Sequence, residues 1–340
     1  MSRYVNVNRT LALLTMAFLA TLDAASPAAA QSAACDRACL TGMADAYFAA
    51  LGARDPSRAP MAPTVRFTEQ TQVLKVGDGL WKTASEAPTT FKIYVADPVA
   101  GQLGAIAVMK DAGRPIQVGA RLKVENRRVV EAEHLIWSIA GDAALANLQA
   151  PRPGLLDAVP ASDRLPREVL LLYAHGYYDA IEQSDGRAVP FTDECVRREG
   201  GIHTAGPRTG PGAPRTAPSA GQGPTSASGS GMGSMTCAAQ LDSRFMSYIE
   251  SIVLRRVWIA DEEKGLVFGL SMFRHPMNEK VLALVYPDGT RGARDMTTQR
   301  QFDMAAAHII KVRDRKIHEI EATGVVLPLN SRNGWSEFLR

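Results

Sequence analysis

The chain carries the same pattern of residues twice, and this repeat limits the possible folds more than any other feature of the sequence. Residues 92–108 read KIYVADPVAGQLGAIAV and residues 256–269 read RVWIADEEKGLVFG, with a basic residue, β-formers, Ala-Asp, a polar turn and Gly in the same order. Two further pairs of segments agree, 46–66 with 176–197 and 123–133 with 311–321. Internal self-similarity of this kind predicts two copies of one structural unit.

The separation of equivalent residues shows where the second copy has grown. It is 130 residues for Tyr47 and Tyr177, 164 for Asp97 and Asp261, and 188 for Glu131 and Glu319. The first insertion, residues 205–234, is almost entirely Gly, Pro, Ser, Ala and Thr, a composition that predicts a disordered loop. The second insertion, between 270 and 303, combines an apolar segment with a Pro-Asp-Gly turn and predicts an ordered hairpin.

Each copy begins with a helical pattern and continues with strands. Apolar residues recur at helical spacing at Leu40, Met43, Tyr47 and Leu51, and again at Leu170, Tyr173, Tyr177 and Ile181. Helices followed by a run of antiparallel strands predict an α+β fold with helices packed on one face of each sheet. The predicted organisation is a signal peptide at 1–30, a first domain at 31–150, a linker at 151–164 and a second domain at 165–340.

The N-terminus has the features of a secretory signal peptide. Two arginines precede an apolar run from Leu11 to Leu22, and Ala28 to Ala30 supply small residues for cleavage before Gln31. A membrane anchor is disfavoured because the apolar run is shorter than about 20 residues, and a lipoprotein site because no bulky residue precedes Cys35. We therefore expect a periplasmic or secreted protein with no membrane anchor after cleavage.

Export permits disulfides, and the four cysteines allow three pairings. A bond between Cys195 and Cys237 would tie together the ends of the Gly- and Pro-rich loop. A bond between Cys35 and Cys39 requires a frayed or distorted start of their helix. A zinc site is the alternative, but a CxxxC segment with two isolated cysteines is not a zinc spacing. The cysteines therefore favour disulfides.

Composition argues against several functional classes. The formal net charge is +3, without a dense Lys/Arg run, which argues against nucleic-acid binding. The sequence contains no nucleophile elbow, phosphate loop, EF-hand loop or dinucleotide fingerprint, so a serine triad and nucleotide-dependent redox chemistry have no support. We expect no cofactor, no metal and a small-molecule partner, and the sequence leaves further oligomerisation open.

A final hairpin of the form K-V-x-[DN]-[GR]-[KR]-[IV]-x-E-x-E, preceded by the opening helix and a Val-Arg strand, resembles the nuclear-transport-factor-2-like superfamily. This superfamily includes SnoaL-like and ketosteroid isomerase-like enzymes. The resemblance covers nearly all of residues 36–145 and 165–327. It implies two tandem cones, each a curved, mostly antiparallel sheet wrapped on helices with a pocket at one end. Members include isomerases, dehydratases, lyases and non-catalytic domains, so the fold does not name the activity.

Strand parity predicts which histidines face the pocket. A three-residue turn at 313–315 would place His308 opposite Ile320, making His308 and His318 diagonal neighbours about 7–8 Å apart on the inner face. His134 faces inward in the first copy by the same alternation. A histidine in an apolar cavity is suited to moving protons, and the alternative is a hydrogen-bonded core residue. His203 and His275 lie at the insertions and are expected to be exposed.

Tyrosine and glutamate supply the other candidate groups. The resemblance implies that Tyr177 could donate to a developing oxyanion, and a core residue whose hydroxyl reaches the rim is an equal alternative. Tyr47 is better explained as a core residue. Glu69 and Glu199 follow apolar strand residues and could act as buried acids or bases, with an ion pair as the structural alternative. The carboxylates expected on the opposite face, solvated or between the two copies, are Glu131, Glu133, Glu319 and Glu321.

These observations favour an exported, cofactor-independent lyase, dehydratase or isomerase. Its substrate would be small, apolar and aromatic, for example a lignin-derived diaryl compound that loses formaldehyde, as the resemblance implies. The second copy is the better candidate because its insertions could form a lid. A non-catalytic periplasmic binding or scaffold protein is the alternative. The catalytic candidates are His308, His318, Tyr177 and Glu199. The substrate-binding candidates are Tyr47, Arg66, Glu69, His134 and Arg197.

Overall fold

The computed structural model describes residues 35–207, 233 and 235–335. The predicted signal peptide at 1–30 lies outside the described residues, as does nearly all of the predicted loop at 205–234. None of the described helices is long and apolar enough to cross a membrane.

The first half of the chain opens with a helix and continues with seven strands. These elements are α1 (Arg37–Gly52), β1 (Met61–Glu69), β2 (Gln72–Leu74), α2 (Leu80–Thr83), β3 (Ala84–Glu86), β4 (Lys92–Asp97), β5 (Gln102–Asp111), β6 (Arg114–Glu125) and β7 (Arg128–Ser138). Two short helices, α3 (Asp142–Asn147) and α4 (Pro153–Leu156), lead to the second half.

The second half follows the same plan with additions. Its elements are α5 (Arg167–Gln183), β8 (Phe191–Glu199), β9 (Ile202–Ala205), α6 (Cys237–Asp242), β10 (Ser251–Asp261), β11 (Leu266–His275), β12 (Val281–Val285), β13 (Arg291–Asp295), β14 (Phe302–Arg313) and β15 (Lys316–Leu327). Strands β12 and β13 pair with each other as a separate hairpin, which confirms the ordered hairpin predicted for the second insertion. Helix α6 is short: it ends at Asp242, and Arg244 just beyond it adopts a positive φ.

The two main sheets have the same strand order. The first runs β4-β5-β6-β7-β1-β2, with β3 also paired to β5, and the second runs β10-β11-β14-β15-β8-β9. In each sheet one pair is parallel, β1 with β7 and β8 with β15, while the other pairs are antiparallel. The α+β class with antiparallel-rich sheets is therefore confirmed, and the repeat read from the sequence is a repeat of topology.

Three apolar clusters hold these layers together. One joins α1 to the first sheet and another joins α5 to the second sheet. The third takes residues from both sheets, including Ile93 and Ile106 from the first and Phe268 and Ile309 from the second. Each sheet therefore packs against its own helix on one face and against the other sheet on the opposite face.

The two Ala-Asp segments brace their own turns, as their sequence suggests. Asp97 Oδ1 accepts a hydrogen bond from the Ala100 N–H at 3.0 Å, and Asp261 Oδ1 accepts one from the Lys264 N–H at 3.1 Å. Aspartate commonly closes a turn in this way.

The second oxygen of each aspartate reaches the other half of the molecule. Asp97 Oδ2 accepts from Arg167 Nε at 2.7 Å, and Asp261 Oδ2 accepts from Arg37 Nε at 2.8 Å. Arg37 and Arg167 each open the first helix of their half and lie 130 residues apart. The contacts are reciprocal, as in the interface of a two-fold symmetric dimer.

The described halves do not separate into independent bodies, because the described residues fall into one compact unit. The predicted linker is packed: Leu155 is buried, and the Val159 N–H donates to the Glu263 carbonyl at 2.8 Å. The last described residue, Trp335, donates from Nε1 to Thr68 Oγ1 of the first sheet at 3.0 Å.

Candidate functional site

The final hairpin of the second half has a different register from the predicted one. Its turn contains two residues, Asp314 and Arg315, both with positive φ, as a tight hairpin turn requires. His318 is the extra residue of a β-bulge that follows the turn, so His308 pairs with Ala322. The predicted inner-face pairing of His308 with His318 is therefore wrong. His318 instead donates from Nε2 to the Arg313 carbonyl at 3.0 Å, beside the turn.

The inward histidines of the two halves occupy the same rung on exchanged strands. In the first sheet Ala120 pairs with His134, and in the second sheet His308 pairs with Ala322. The two rungs are 188 residues apart on both strands. The bulge at His318 brings about this equivalence, because without it His308 would pair with a residue other than Ala322.

The histidine of the first half belongs to a filled core. The Tyr47 hydroxyl forms a hydrogen bond with His134 Nε2 at 3.0 Å, and His134 Nδ1 lies 3.3 Å from Glu69 Oε2. The Glu69 carboxylate also accepts the Leu80 N–H at 3.0 Å. Trp81 packs edge-on against Tyr47, and both rings are buried. The candidates Tyr47, Glu69 and His134 are therefore brought together, but among side chains that leave no room for a substrate at this rung.

The second half contains a cavity of about 200 Å³ at the equivalent place. His308 and Tyr177 line it, and both are buried. The Tyr178 hydroxyl lies 3.4 Å from His308 Nδ1, and within the described residues no group hydrogen-bonds to Nε2 of this ring. Glu69 pairs with His134 in the first sheet, and Glu199 pairs with Ala322 at the equivalent rung of the second sheet. Phe67 and Arg197 each lie two residues before these glutamates, so Arg197 occupies the position that Phe67 has in the first half.

Arg197 and Glu199 form an ion pair on the cavity wall. Their Nε and Oε1 atoms are 3.0 Å apart, and Glu199 is the more exposed partner. Arg197 also donates to Thr204 Oγ1 at 3.0 Å and to the Gln240 side-chain oxygen. The guanidinium charge is therefore matched by one carboxylate and held by neutral acceptors.

The second insertion and the segment that precedes β10 build another part of the wall. Tyr248 and His275 line the cavity and pack against each other with ring centroids 5.6 Å apart. Arg294, in the inserted hairpin, lies over the Tyr248 ring at 5.1 Å and donates to the Phe245 carbonyl at 3.3 Å. The insertion thus supports a wall of the cavity from outside.

Both expected disulfides are present. Cys195 bonds to Cys237, which joins β8 to α6, and Cys35 bonds to Cys39. The second bond is possible because Cys35 precedes the helix: Asp36 is the cap residue and accepts the Cys39 N–H at 2.8 Å. The bonds fit an oxidising compartment.

Burial sets the protonation of the groups around the cavity. It raises the pKa of Tyr177, an effect that Arg197 partly offsets, and it raises the pKa of Tyr248. Burial lowers the pKa of His308 to about 3, with the charge of Arg197 contributing, and that of His275 to about 4. At neutral pH the cavity therefore presents neutral phenols, neutral imidazoles and one balanced ion pair.

The remaining candidates lie away from the cavity. Arg66 donates to the Gly334 carbonyl and stacks on Trp335 at 4.4 Å. Glu133 and Glu321 are buried between the sheets, where Glu133 binds Arg256 through two contacts of 2.6 Å. The position of these two carboxylates agrees with the expectation of a location between the copies.

Several residues of the wall were missed by the sequence reasoning, among them His275, Tyr248, Trp137 and Thr323. His275 had been expected at an exposed insertion, but its ring is buried and stacked on Phe302 at 4.0 Å. Trp137 lies near the end of β7 in the first sheet, but it lines the cavity of the second half. Aromatic residues within the second insertion were a signal for His275, whereas Tyr248 lies outside both insertions.

Comparison with known proteins identifies a resemblance for the part of the chain that holds the cavity. Residues 163–324 match a family model described as a domain of unknown function (DUF8021). Searches of curated proteins and of solved structures gave no match. The matched region begins just before α5 and ends within β15, so it contains the second sheet and the part of the wall built by the second insertion.

Proposed function

We propose that the protein is an exported, cofactor-independent enzyme whose second half acts on a small, uncharged, single-ring molecule by acid–base chemistry. The observation that carries this proposal is the contrast between the two halves. At equivalent positions, the first half packs aromatic side chains while the second half leaves a cavity with polar groups on its wall. An apolar cavity with a few converging polar groups is the usual form of a small-molecule site.

The size and charge of the cavity define the substrate class. A dry cavity of about 150 Å³ can hold benzene, so one of about 200 Å³ holds a single ring with a short substituent. The second ring of a diaryl compound would extend beyond the mouth. The pairing of Arg197 with Glu199 leaves no unmatched charge for an ionic substrate among the described lining residues.

The wall residues suggest distinct roles. Glu199 is the base, because it is a carboxylate at the open side of the cavity with Arg197 holding its orientation. Tyr177 is the hydrogen-bond donor to a substrate oxygen, since burial keeps its phenol protonated. His308 is too weak a base for this work with a pKa near 3, and it serves as a neutral hydrogen-bonding group. Proton removal by Glu199 with charge stabilisation by Tyr177 would support elimination or isomerisation.

The fold supports this assignment by analogy. A first helix, a strand order shared by both halves and a parallel pair next to the final hairpin support a relationship to the nuclear-transport-factor-2-like superfamily. In this proposal the first half is a structural partner that replaces a dimer mate, and residues 1–30 direct export to the periplasm or the medium.

The test begins with ligand identification. Small molecules that co-purify with the exported full chain are identified by mass spectrometry, and the ligand found is tested for turnover. Glu199→Gln is expected to reduce kcat about 100-fold or more, and Tyr177→Phe to a similar extent. Tyr47→Phe is the matched control, because Tyr47 is the equivalent tyrosine of the filled half and should leave kcat unchanged. Normal turnover by Glu199→Gln would remove the acid–base assignment.

A non-catalytic binding protein is the second candidate, favoured by the low basicity of His308 and the full set of partners of Arg197. Stoichiometric binding of the co-purified ligand without chemical change would decide for it.

A further inference from the structure

Two buried polar atoms on the cavity wall have no hydrogen-bond partner among the described residues. They are Trp137 Nε1 and Thr323 Oγ1, and both residues line the cavity. A buried donor left unpaired costs about 1–3 kcal/mol. Such groups are rare in native proteins and are often explained by a bound molecule or water.

The two residues come from different halves of the chain. Trp137 lies near the end of β7 in the first sheet, and Thr323 lies in β15 of the second. A Cβ added to Gly200 would lie 2.5 Å from Trp137 Nε1, so only glycine lets the indole approach the turn beside Glu199. A Cβ added to Gly119 would lie 2.8 Å from the Thr323 methyl carbon. Because Gly119 and Gly200 have no side chain, the two halves can pack in close contact at this part of the wall.

The chemistry of the two groups specifies their partner. An indole N–H can only donate, while a threonine hydroxyl can donate or accept. A carbonyl oxygen has two lone pairs and can accept from both. The rest of the wall is mainly apolar and aromatic, and its one described guanidinium, that of Arg197, is already paired with Glu199.

We propose that Trp137 and Thr323 form a recognition point for the carbonyl oxygen of a neutral aromatic aldehyde or ketone. This inference rests on the proposed function of the cavity as a ligand site and narrows its substrate class. It also makes the first half a part of the site, since one of the two recognition groups comes from β7. The site is therefore complete only when both halves are present in one folded chain.

A matched pair of probes tests the carbonyl. Acetophenone and α-methylstyrene have nearly the same shape and differ in C=O against C=CH2. Calorimetric titration of the full chain should show acetophenone binding about tenfold more tightly than α-methylstyrene, the difference expected for one or two neutral hydrogen bonds. Trp137→Phe and Thr323→Val should each reduce this ratio about threefold or more. Binding of α-methylstyrene should not change in either variant, which also shows that the cavity is intact.

Trp258→Phe is the control, because Trp258 is half-exposed and does not line the cavity; it should keep the wild-type ratio. If the wild type binds both probes equally, or if both cavity variants keep its preference, the recognition point is overturned while the cavity stands as a ligand site. If the wild type binds neither probe, the single-ring site proposed above falls, and the inference falls with it.

Discussion

At the scale of single residues, a few exchanges explain why one half is filled and the other open. Phe67 in the first half is replaced by Arg197 in the second, and His134 is replaced by Ala322. The tyrosine is kept, but Tyr47 bonds to a histidine while Tyr177 lines a cavity. The imidazole is not lost, because His308 takes the place of Ala120 on the facing strand. Loss of the buried Phe67 ring and the move of the imidazole to the other strand leave space that a ligand can occupy.

The buried histidines predict a pH dependence of stability. The folded-state pKa is about 4 for His275 and about 3 for His308, whereas an unfolded histidine titrates near 6.5. The unfolded chain therefore binds more protons as the pH falls below about 6.5, and the free energy of unfolding decreases until the folded-state pKa is reached. Each histidine contributes a slope of up to about 1.4 kcal/mol per pH unit.

The measurement is urea unfolding of the wild type and of His275→Phe and His308→Gln at pH 7.5 and pH 5. We expect both variants to lose less stability than the wild type between the two pH values. Glu321 acts in the opposite direction, because burial raises its pKa to about 7, with Arg152 opposing. The comparison of variant with wild type cancels that contribution. Equal losses in all three proteins would show that these histidines are not neutral in the folded state.

At the scale of elements, the Cys195–Cys237 bond fixes a helix to the strand that carries the ion pair. Cys195 and Arg197 lie in β8, and Gln240, which accepts from Arg197, lies in α6 beside Cys237. The bond thus holds the base of the cavity wall as well as the ends of a long segment. Loss of α6 from its place would deprive the buried Arg197 of its Gln240 acceptor and leave Thr204 as a neutral partner.

Removing this disulfide should cost more stability than removing the other. In the chain-entropy model, the bond with a separation of 42 residues contributes about 4 kcal/mol and the bond with a separation of 4 about 2 kcal/mol. The Cys195→Ala/Cys237→Ala variant is compared with Cys35→Ala/Cys39→Ala by urea unfolding. The ligand affinity of the cavity should fall only in the former. A larger loss from the short bond would contradict the assignment.

At the scale of the whole molecule, the two halves are joined by reciprocal contacts. Asp97 and Asp261 are almost fully buried, and each binds an arginine that opens the first helix of the other half. Between the sheets, Glu133 and Arg256 add a charged contact beside the apolar cluster. A duplicated chain with symmetric contacts has the interface of a dimer within one polypeptide.

These contacts predict cooperative unfolding. Arg37→Gln and Arg167→Gln should each lower the free energy of unfolding by about 2 kcal/mol, because a buried carboxylate loses its cation. The exposed pair of Lys82 and Asp78 supplies the control, and Lys82→Gln should change stability by less than about 0.5 kcal/mol. Chemical denaturation followed by fluorescence and circular dichroism should give one transition in each protein. Two separate transitions would show that the halves fold independently.

The sequence by itself determined the repeat and the helix-then-strand order, because these depend on local periodicity and composition. It favoured disulfides, but four cysteines allow three pairings, and the structure supplied the pairs. Tyr47 and Tyr177 were placed on the buried side of their helices, and the inserted hairpin was recognised by its turn. The register of the last hairpin was not determined, since a single bulged residue, His318, shifts every pair that follows. The alternation of apolar and polar residues along a strand does not indicate where a bulge will shift the register.

Only the tertiary structure decided which half is open and what completes the cavity. Whether a buried histidine meets a tyrosine or an empty space depends on volumes contributed by several strands at once, as the rungs of His134 and His308 show. Trp137 reaches the cavity of the other half because the sheets pack face to face beside Gly200. No local pattern contains that contact, because it joins residues that the chain keeps more than sixty positions apart.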